Sequence, residues 1–418
     1  MKKIAIIGGG IGGLTAAYLL HSSHDITLYE KSNRLGGNAY THQTKTEEVL
    51  DIAVGSVLGR VAENFLRLLR EVNAPMVRQP KASLMSLYDL KTGKGMYPSF
   101  FNLKAMAVQG LSMVKVLPSY VRTLIFNRRA VRLLDQGRLE GVSVGEMFDL
   151  LPGLSRFEQL IVMAPFCLLS SMAYAEVLEG PAEYFVGKMK AHAIFNPFVT
   201  MVENHFPKNF TRSYVDALAD HFRDKVVLNA NIEKVTRSDD RVRVEMADGD
   251  VFLYDDVVFA CNADQTLRLI GDPTPEETRL LGSWKYRDVT MVVHRDHTHS
   301  PRRVLCQPWN CIQSASNGTP HFSISYATWL LSPGVENKGT YISTQHAGFP
   351  INEELVDCRR TFRVPFYDFS AFAAMKELPR LNGKKHSYFC GSHFGYGLHG
   401  DAVNSAVRVA RDLGVMWG

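Results

Sequence analysis

The chain predicts an α/β fold: a parallel sheet carrying a small antiparallel meander, joined to a second, discontinuous α+β region. Three observations predict it. The first 31 residues alternate strand, glycine-rich turn, helix and strand. Short β-favouring runs separated by acidic turns fill Val226 to Ile270, and a loop with four glycines joins a strand to a helix near the C-terminus. Between these islands lie residues 76–209 and 284–379, rich in Phe, Tyr, Met, Pro and Trp.

Ile4 to Ile7 is a short apolar run, as expected of a strand buried on both faces. Leu14, Ala17, Tyr18, Leu20 and His21 recur at helical spacing, and Ile26 to Tyr29 reads as a second buried strand. Val226–Leu228, Ile232–Thr236, Val242–Met246 and Val251–Tyr254 read together as the antiparallel meander. Val257–Ala260 is a further buried strand leading into a helix from Ala263. Ser387–Cys390 is a strand, Gly391–Gly400 a loop and Ala402–Leu413 a helix.

A length of 418 residues predicts two packed domains, and 46% apolar with 21% charged residues is the mix of a soluble globular chain. A net charge of +5 is too slight to imply a nucleic-acid partner. The charge is uneven, because Leu90 to Leu134 holds eight basic residues and no Asp or Glu, interleaved with apolar ones. That pattern suits a basic solvated helix face, an interfacial helix on a membrane surface, or attraction of an anionic substrate. Six cysteines without a CxxC indicate neither a disulfide framework nor zinc, and fit a reducing compartment. No 18-residue apolar run lacks a charge. The expected location is cytoplasmic, with peripheral membrane contact through residues 90–134 as the alternative.

The chemistry concentrates at Gly8-Gly9-Gly10-Ile11-Gly12-Gly13, a G-x-G-x-x-G between strand and helix, with Glu30 ending the second strand. In that context Gly8 permits the tight turn, Gly10 lets backbone approach a pyrophosphate, and Gly13 lets the helix pack on the strand. Glu30 supplies acceptors for ribose hydroxyls and repels a 2′-phosphate. This Rossmann-like fingerprint is shared by NAD and FAD. Lys31, Arg34, Gly36, Gly37 and Asn38 form a second bare, basic stretch that an extended FAD needs and NAD does not.

These residues resemble the flavoprotein superfamily of amine oxidases, phytoene desaturases and protoporphyrinogen oxidase. The resemblance implies that Gly55 and Ser56, in Leu50–Ser56, pass close to the flavin ring and that Ile232 touches the adenine. It further implies that Asn262, in the turn Phe259–Asp264, returns beside the cofactor. Tyr388–Ser392 and Gly395–Ala406 are similar to the family's last strand and helix, which assigns Gly391, Ser392, Asp401, Ala402 and Val403 to the flavin. Segments His294–Asp296 and Ser325–Leu330 are similar to a bacterial branch known only as FAD/NAD-binding oxidoreductases. No Cys or His stands in an obvious linkage motif, so the FAD is expected to be noncovalent.

Three departures separate the chain from amine oxidases. Ser392 replaces an acid, Leu398 replaces a cage aromatic, and Asp288–Val292 lacks the lysine that holds water at flavin N5. Tyr396, Leu398 and His399 are the candidate catalytic residues, with Lys285, Trp309, Tyr326 and Trp329 as candidate cavity walls. The tract His294–His299 reads as a polar loop, with no metal site. The expectation is an FAD-dependent oxidoreductase, oxidase or desaturase, acting on a small lipophilic or anionic substrate. A redox-neutral double-bond isomerase of an unsaturated acid is the alternative, and a non-catalytic flavin-binding protein is third. The expected FAD domain comprises residues 1–75, 210–283 and 380–418, and the substrate domain 76–209 and 284–379.

Overall fold

The computed structural model describes residues 1–53, 57–58, 62–78, 85–93, 95–96, 103–192, 204–316, 319–331 and 339–418. The strand Lys3–Ile7 pairs in parallel with Asp25–Tyr29 on one side and Asp256–Phe259 on the other. Val226–Val227 and Ser387–Phe389 add the two outer strands of this five-stranded parallel sheet. Its pleat splits the first strand between two cores. Ile4 and Ile6 pack with Leu14, Leu20 and Val409 on one face, while Ala5 and Ile7 join the larger cluster on the other. The helix Ile11–Leu20 is buried nearly all round because it lies between the sheet, the helix Phe210–Ala219 and the last helix, His399–Asp412.

Ile232–Arg237, Val242–Met246 and Val251–Tyr254 form the expected antiparallel meander. Val226–Leu228 does not belong to it. Val226 and Val227 pair with Leu28 and Tyr29, and the Val227 carbonyl accepts from Glu30 N at 2.9 Å. Two paired residues carry no periodicity that could reveal their partner. The last helix also starts earlier than its sequence suggests. The Asp401 carboxylate accepts from Leu398 N at 2.9 Å and caps the first turn, which places His399 inside the helix rather than in the loop.

The second sheet has seven strands, in the spatial order 356–366, 285–294, 342–345, 319–327, 309–316, 85–89 and 95–96. It is antiparallel except where Trp309–Ser316 runs parallel to Met85–Asp89. The helix Arg156–Ser170 packs on this sheet, and the helix Leu111–Asp135 packs against both Arg156–Ser170 and Ala182–Ala191. The larger apolar cluster runs from beneath this sheet to the parallel sheet, so the two share a core.

Candidate cofactor and substrate site

One cavity of about 820 Å³ runs from the glycine turn past the start of the last helix to the second sheet. At its first end Gly8 adopts φ +114°, and a Cβ there would meet the Ala260 carbonyl at 2.8 Å. A Cβ on Gly13 would meet Gly8 O at 1.8 Å, so only glycine lets the helix sit this close to the strand. Gly10 differs, because nothing lies within 4 Å of its Cβ position and the residue faces the cavity. Glu30 is held at both oxygens: Oε2 accepts from Gly9 N at 2.7 Å, and Oε1 accepts from Ser32 N at 2.8 Å and Ser32 Oγ at 2.7 Å.

The second glycine pair is stacked on the first turn. Gly36 N donates to Gly9 O at 2.8 Å, and a Cβ on Gly37 would meet Gly10 Cα at 3.2 Å. The Arg34 guanidinium donates to the carbonyls of Leu35, Gly37 and Ala39, which fixes it beside this stretch. Asn38 Nδ2 donates to Arg363 O at 3.2 Å. Gly8, Gly10, Glu30, Lys31, Arg34, Gly36, Gly37, Asn38, Ile232, Asn262, Gly391, Ser392 and Ala402 therefore share one cavity. Gly13, Asp401 and Val403 lie behind its wall: Gly13 makes the helix contact, Asp401 caps the last helix and Val403 is core. Gly55 and Ser56 lie outside the described residues.

An elongated dinucleotide fits this wall. The open face at Gly10 leaves room for a phosphate against bare backbone. The amino ends of Ile11–Leu20 and His399–Asp412 bring unpaired N–H groups to the same space, and Glu30, which lines it, keeps acceptor capacity on Oε2 beyond its bond from Gly9 N. Those residues would hold a flavin cofactor.

Leu398 and His399 line the cavity. The His399 ring stacks on Phe65 at 5.7 Å and meets Tyr214 edge-on at 6.2 Å, and burial pulls its pKa down to about 4. Tyr396 does not reach the cavity wall. A Cβ at Gly187 would meet its hydroxyl at 2.7 Å, and its ring packs against Tyr184 and His192. Trp309 and Tyr326 are walls, as expected, whereas Lys285 and Trp329 are not. Lys285 forms an exposed pair with Asp368 at 2.9 Å, and Trp329 lies under the Arg303 guanidinium. The histidine tract scatters: His294 is buried on Thr344 Oγ1 at 2.9 Å, while His297 meets Thr340 O at 2.9 Å. Among the described residues the group with metal-ligand spacing is His42, Asp357 and Cys358, where His42 already engages the carboxylate at 2.7 Å.

Sequence reasoning missed His192, Gln345, Val289, Met291 and Phe362, all on the cavity wall. Val289 and Met291 carry an alternation signal in Lys285–His294. His192 and Gln345 carry none.

A parallel sheet with this glycine turn and acid, opening along one elongated cavity onto an antiparallel sheet, is the dinucleotide-binding type of α/β fold. The model of the flavin containing amine oxidoreductase family matches residues 11–299, and the chain belongs to that family, which indicates a flavin cofactor. Human amine oxidase [flavin-containing] B is 36% identical over 70 residues, 16% of this chain and 13% of that enzyme. A 4,4'-diaponeurosporene oxygenase of Staphylococcus haemolyticus is 49% identical over 45 residues, 10% of this chain and 9% of its own. The chain thus matches only a small part of the length of these curated relatives. A solved CLA-producing fatty acid isomerase from P. acnes superposes with TM-score 0.66 at 14% identity, covering 98% of each chain. A redesigned putrescine oxidase does so with TM-score 0.68 at 13% identity, covering 99% of this chain and 98% of its own. These likenesses establish the fold. Among the described residues, no helix is long and apolar enough to cross a membrane.

Proposed function

We propose that the protein is an FAD-dependent oxidoreductase, an oxidase or desaturase, acting on a small lipophilic substrate. The observation that carries this reading is the continuity of one cavity from Glu30, through the start of the last helix, to an apolar wall containing Leu168, Val289, Met291 and Phe362. Bound FAD supplies the acceptor for a hydride from a substrate C–H, a proton leaves the adjacent atom, and dioxygen or a quinone takes up the two electrons. The protein's own part is to bind, orient and dehydrate. The glycine turns admit the dinucleotide, the apolar wall excludes water, and His399 presents an uncharged imidazole. Attachment is noncovalent in this reading. Cys261, a cysteine on the cavity, is kept a neutral thiol, pushed up to about 11 by burial.

A second reading is a redox-neutral double-bond isomerase. Glu30 is the one carboxylate among the described cavity-lining residues and lies at the dinucleotide end, so the wall offers a cationic amine no counter-charge. Incubation of the flavin-loaded protein with amines and with polyunsaturated acids separates the readings. An oxidase or desaturase yields product lacking two hydrogens and bleaches the flavin when air is excluded. An isomerase yields product of unchanged mass. A protein that binds flavin but gives neither product is the third, non-catalytic case.

The two sheets suggest the corresponding division of the chain into an FAD domain of residues 1–75, 210–283 and 380–418 and a substrate domain of 76–209 and 284–379. We place the protein in the cytoplasm, at an anionic membrane surface. All six cysteines are free thiols. Val114, Leu117, Val121 and Ile125 on the helix Leu111–Asp135 are 45–63% exposed along one face. Lys104, Lys115, Arg128, Arg129 and Arg132 lie exposed around them with no acid between residues 103 and 134, a charge pattern complementary to anionic lipid.

A further inference from the structure

Two buried polar side chains face the cavity with hydrogen-bonding capacity that nothing else in the described protein uses. Both ring nitrogens of His192 and Nε2 of Gln345 are buried without a partner among the described residues. The residues are 4% and 2% exposed, and both line the cavity. A buried donor left unpaired is costly, so an occupant of the cavity that pairs these groups is favoured.

The fold ties the segments that carry these groups to one helix end. Gln345 ends the strand Ile342–Gln345, and the ring of its neighbour His346 lies 3.0 Å from the carbonyl of Ser171, at the end of the helix Arg156–Ser170. In the last turn of that helix, the Leu169 carbonyl accepts from Lys188 Nζ at 2.6 Å. His192 stands one helical turn beyond Lys188 and caps the helix Ala182–Ala191. The segments that carry His192 and Gln345 are thus both tied to the end of a single helix, whose Leu168 and Leu169 line the same cavity together with Met291, Trp309 and Phe362.

We propose that His192 and Gln345 form the polar pole of the substrate cavity and hold the carboxyl group of an otherwise aliphatic substrate. The proposal rests on the flavoenzyme reading in taking this cavity as the substrate's. Burial holds His192 down to about 3, with Lys188 adding to the effect, so its ring is uncharged and offers one N–H and one lone pair. The Gln345 amide adds N–H donors. A carboxyl group brings two acceptor oxygens to these donors, whereas an alkylammonium brings donors only and finds one unpaired acceptor there, the His192 lone pair.

The test is calorimetric titration of the holoprotein with decanoate and with decylamine. Decanoate binds about tenfold or more tightly than decylamine, and His192→Phe and Gln345→Leu each weaken decanoate about fivefold or more, with flavin content and thermal midpoint unchanged. Equal binding of the two probes to the wild type overturns the proposal, as does wild-type decanoate affinity in both variants. Should a variant fail to fold, the comparison of the probes on the wild type still decides. Flavin content is read separately: a protein that takes up no FAD refutes the flavoenzyme reading, while the calorimetry still decides the polar pole.

Discussion

Lys188 Nζ donates to the carbonyl of Leu169 at 2.6 Å inside the protein, where it also meets the Tyr184 hydroxyl at 3.1 Å. Burial pulls this amine down from 10.5 to about 7, against the opposing pull of Asp401. Between those two values the unfolded chain binds the proton and the folded one does not, so stability rises with pH across that window. Lys188→Met removes the titration. Denaturant midpoints of the wild type therefore climb from pH 7 to pH 10 relative to those of the variant. Parallel profiles would show that Lys188 keeps its proton in the folded state.

Gly10 faces the cavity with nothing within 4 Å of its Cβ position, so a larger residue there is accommodated by the fold and excluded by the ligand. Gly10→Glu is expected to retain the wild-type thermal midpoint of the flavin-free protein and to purify without the absorbance of oxidised flavin. A yellow variant would mean that the pyrophosphate does not pass this backbone.

The dinucleotide end was legible because its constraints are local. The glycine turn, Glu30 and the second glycine pair all lie between residues 8 and 37, and most of the contacts that demand them are made inside that stretch: Gly13 against Gly8, Gly37 against Gly10, and Glu30 with Gly9 N. The substrate end was not. Lys188 and His192 belong to one helix and Gln345 to a strand distant in the chain, and only tertiary packing ties these two segments to one helix end. Lys285 shows a subtler limit. It shares strand parity with Val289 and Met291, but it stands at the start of the strand, beyond the cavity, and pairs with Asp368. Alternation reports a side chain's face and says nothing of its distance along the strand.

Asp51 accepts from Thr211 N at 2.9 Å, Thr211 Oγ1 at 2.8 Å and Thr41 Oγ1 at 2.7 Å, tying the chain ahead of residues 54–56 to the helix Phe210–Ala219. Burial nevertheless pushes its carboxyl up from 3.8 to about 6. The folded state thus binds the extra proton between these values, and that contribution to stability is full below 3.8 and lost as pH rises through 6. Asp51→Asn keeps one acceptor but turns an amide toward donors, so it is less stable than the wild type. Its deficit narrows from pH 4 to pH 7, since only the wild type loses this contribution. A constant deficit in thermal midpoints would place the carboxyl at its ordinary value.

His399 lines the cavity and stays uncharged above about pH 4, because burial disfavours its imidazolium. A group in this state can accept a proton throughout the neutral range, and general bases contribute about 10²–10⁴ in rate. His399→Ala is expected to keep bound flavin while slowing its anaerobic reduction by substrate to that extent. Wild-type reduction would show no break near pH 6.5 from this residue. Tyr396→Phe removes a hydroxyl that faces Gly187 rather than the cavity, and its effect on the same rate stays smaller. A larger effect for Tyr396→Phe would reverse the two roles.

The helix Leu111–Asp135 exposes Val114, Leu117, Val121 and Ile125 at spacings of three, four and four residues, which aligns them on one face. Val108, on the preceding helix, is 46% exposed as well. Arg122 is committed to Glu158, but Lys115, Arg128, Arg129 and Arg132 remain exposed, and each is worth about 1 kcal/mol near an anionic bilayer. The protein is expected to sediment with phosphatidylserine-containing vesicles, less so as salt rises, and not with phosphatidylcholine alone. Leu117→Asp with Ile125→Asp places charge where side chains would enter the interface, at positions that do not line the cavity, so it abolishes sedimentation while flavin content is unchanged. Retained sedimentation in the double variant would assign the attraction to the cations alone, and no sedimentation of the wild type would remove the membrane from the account of this face.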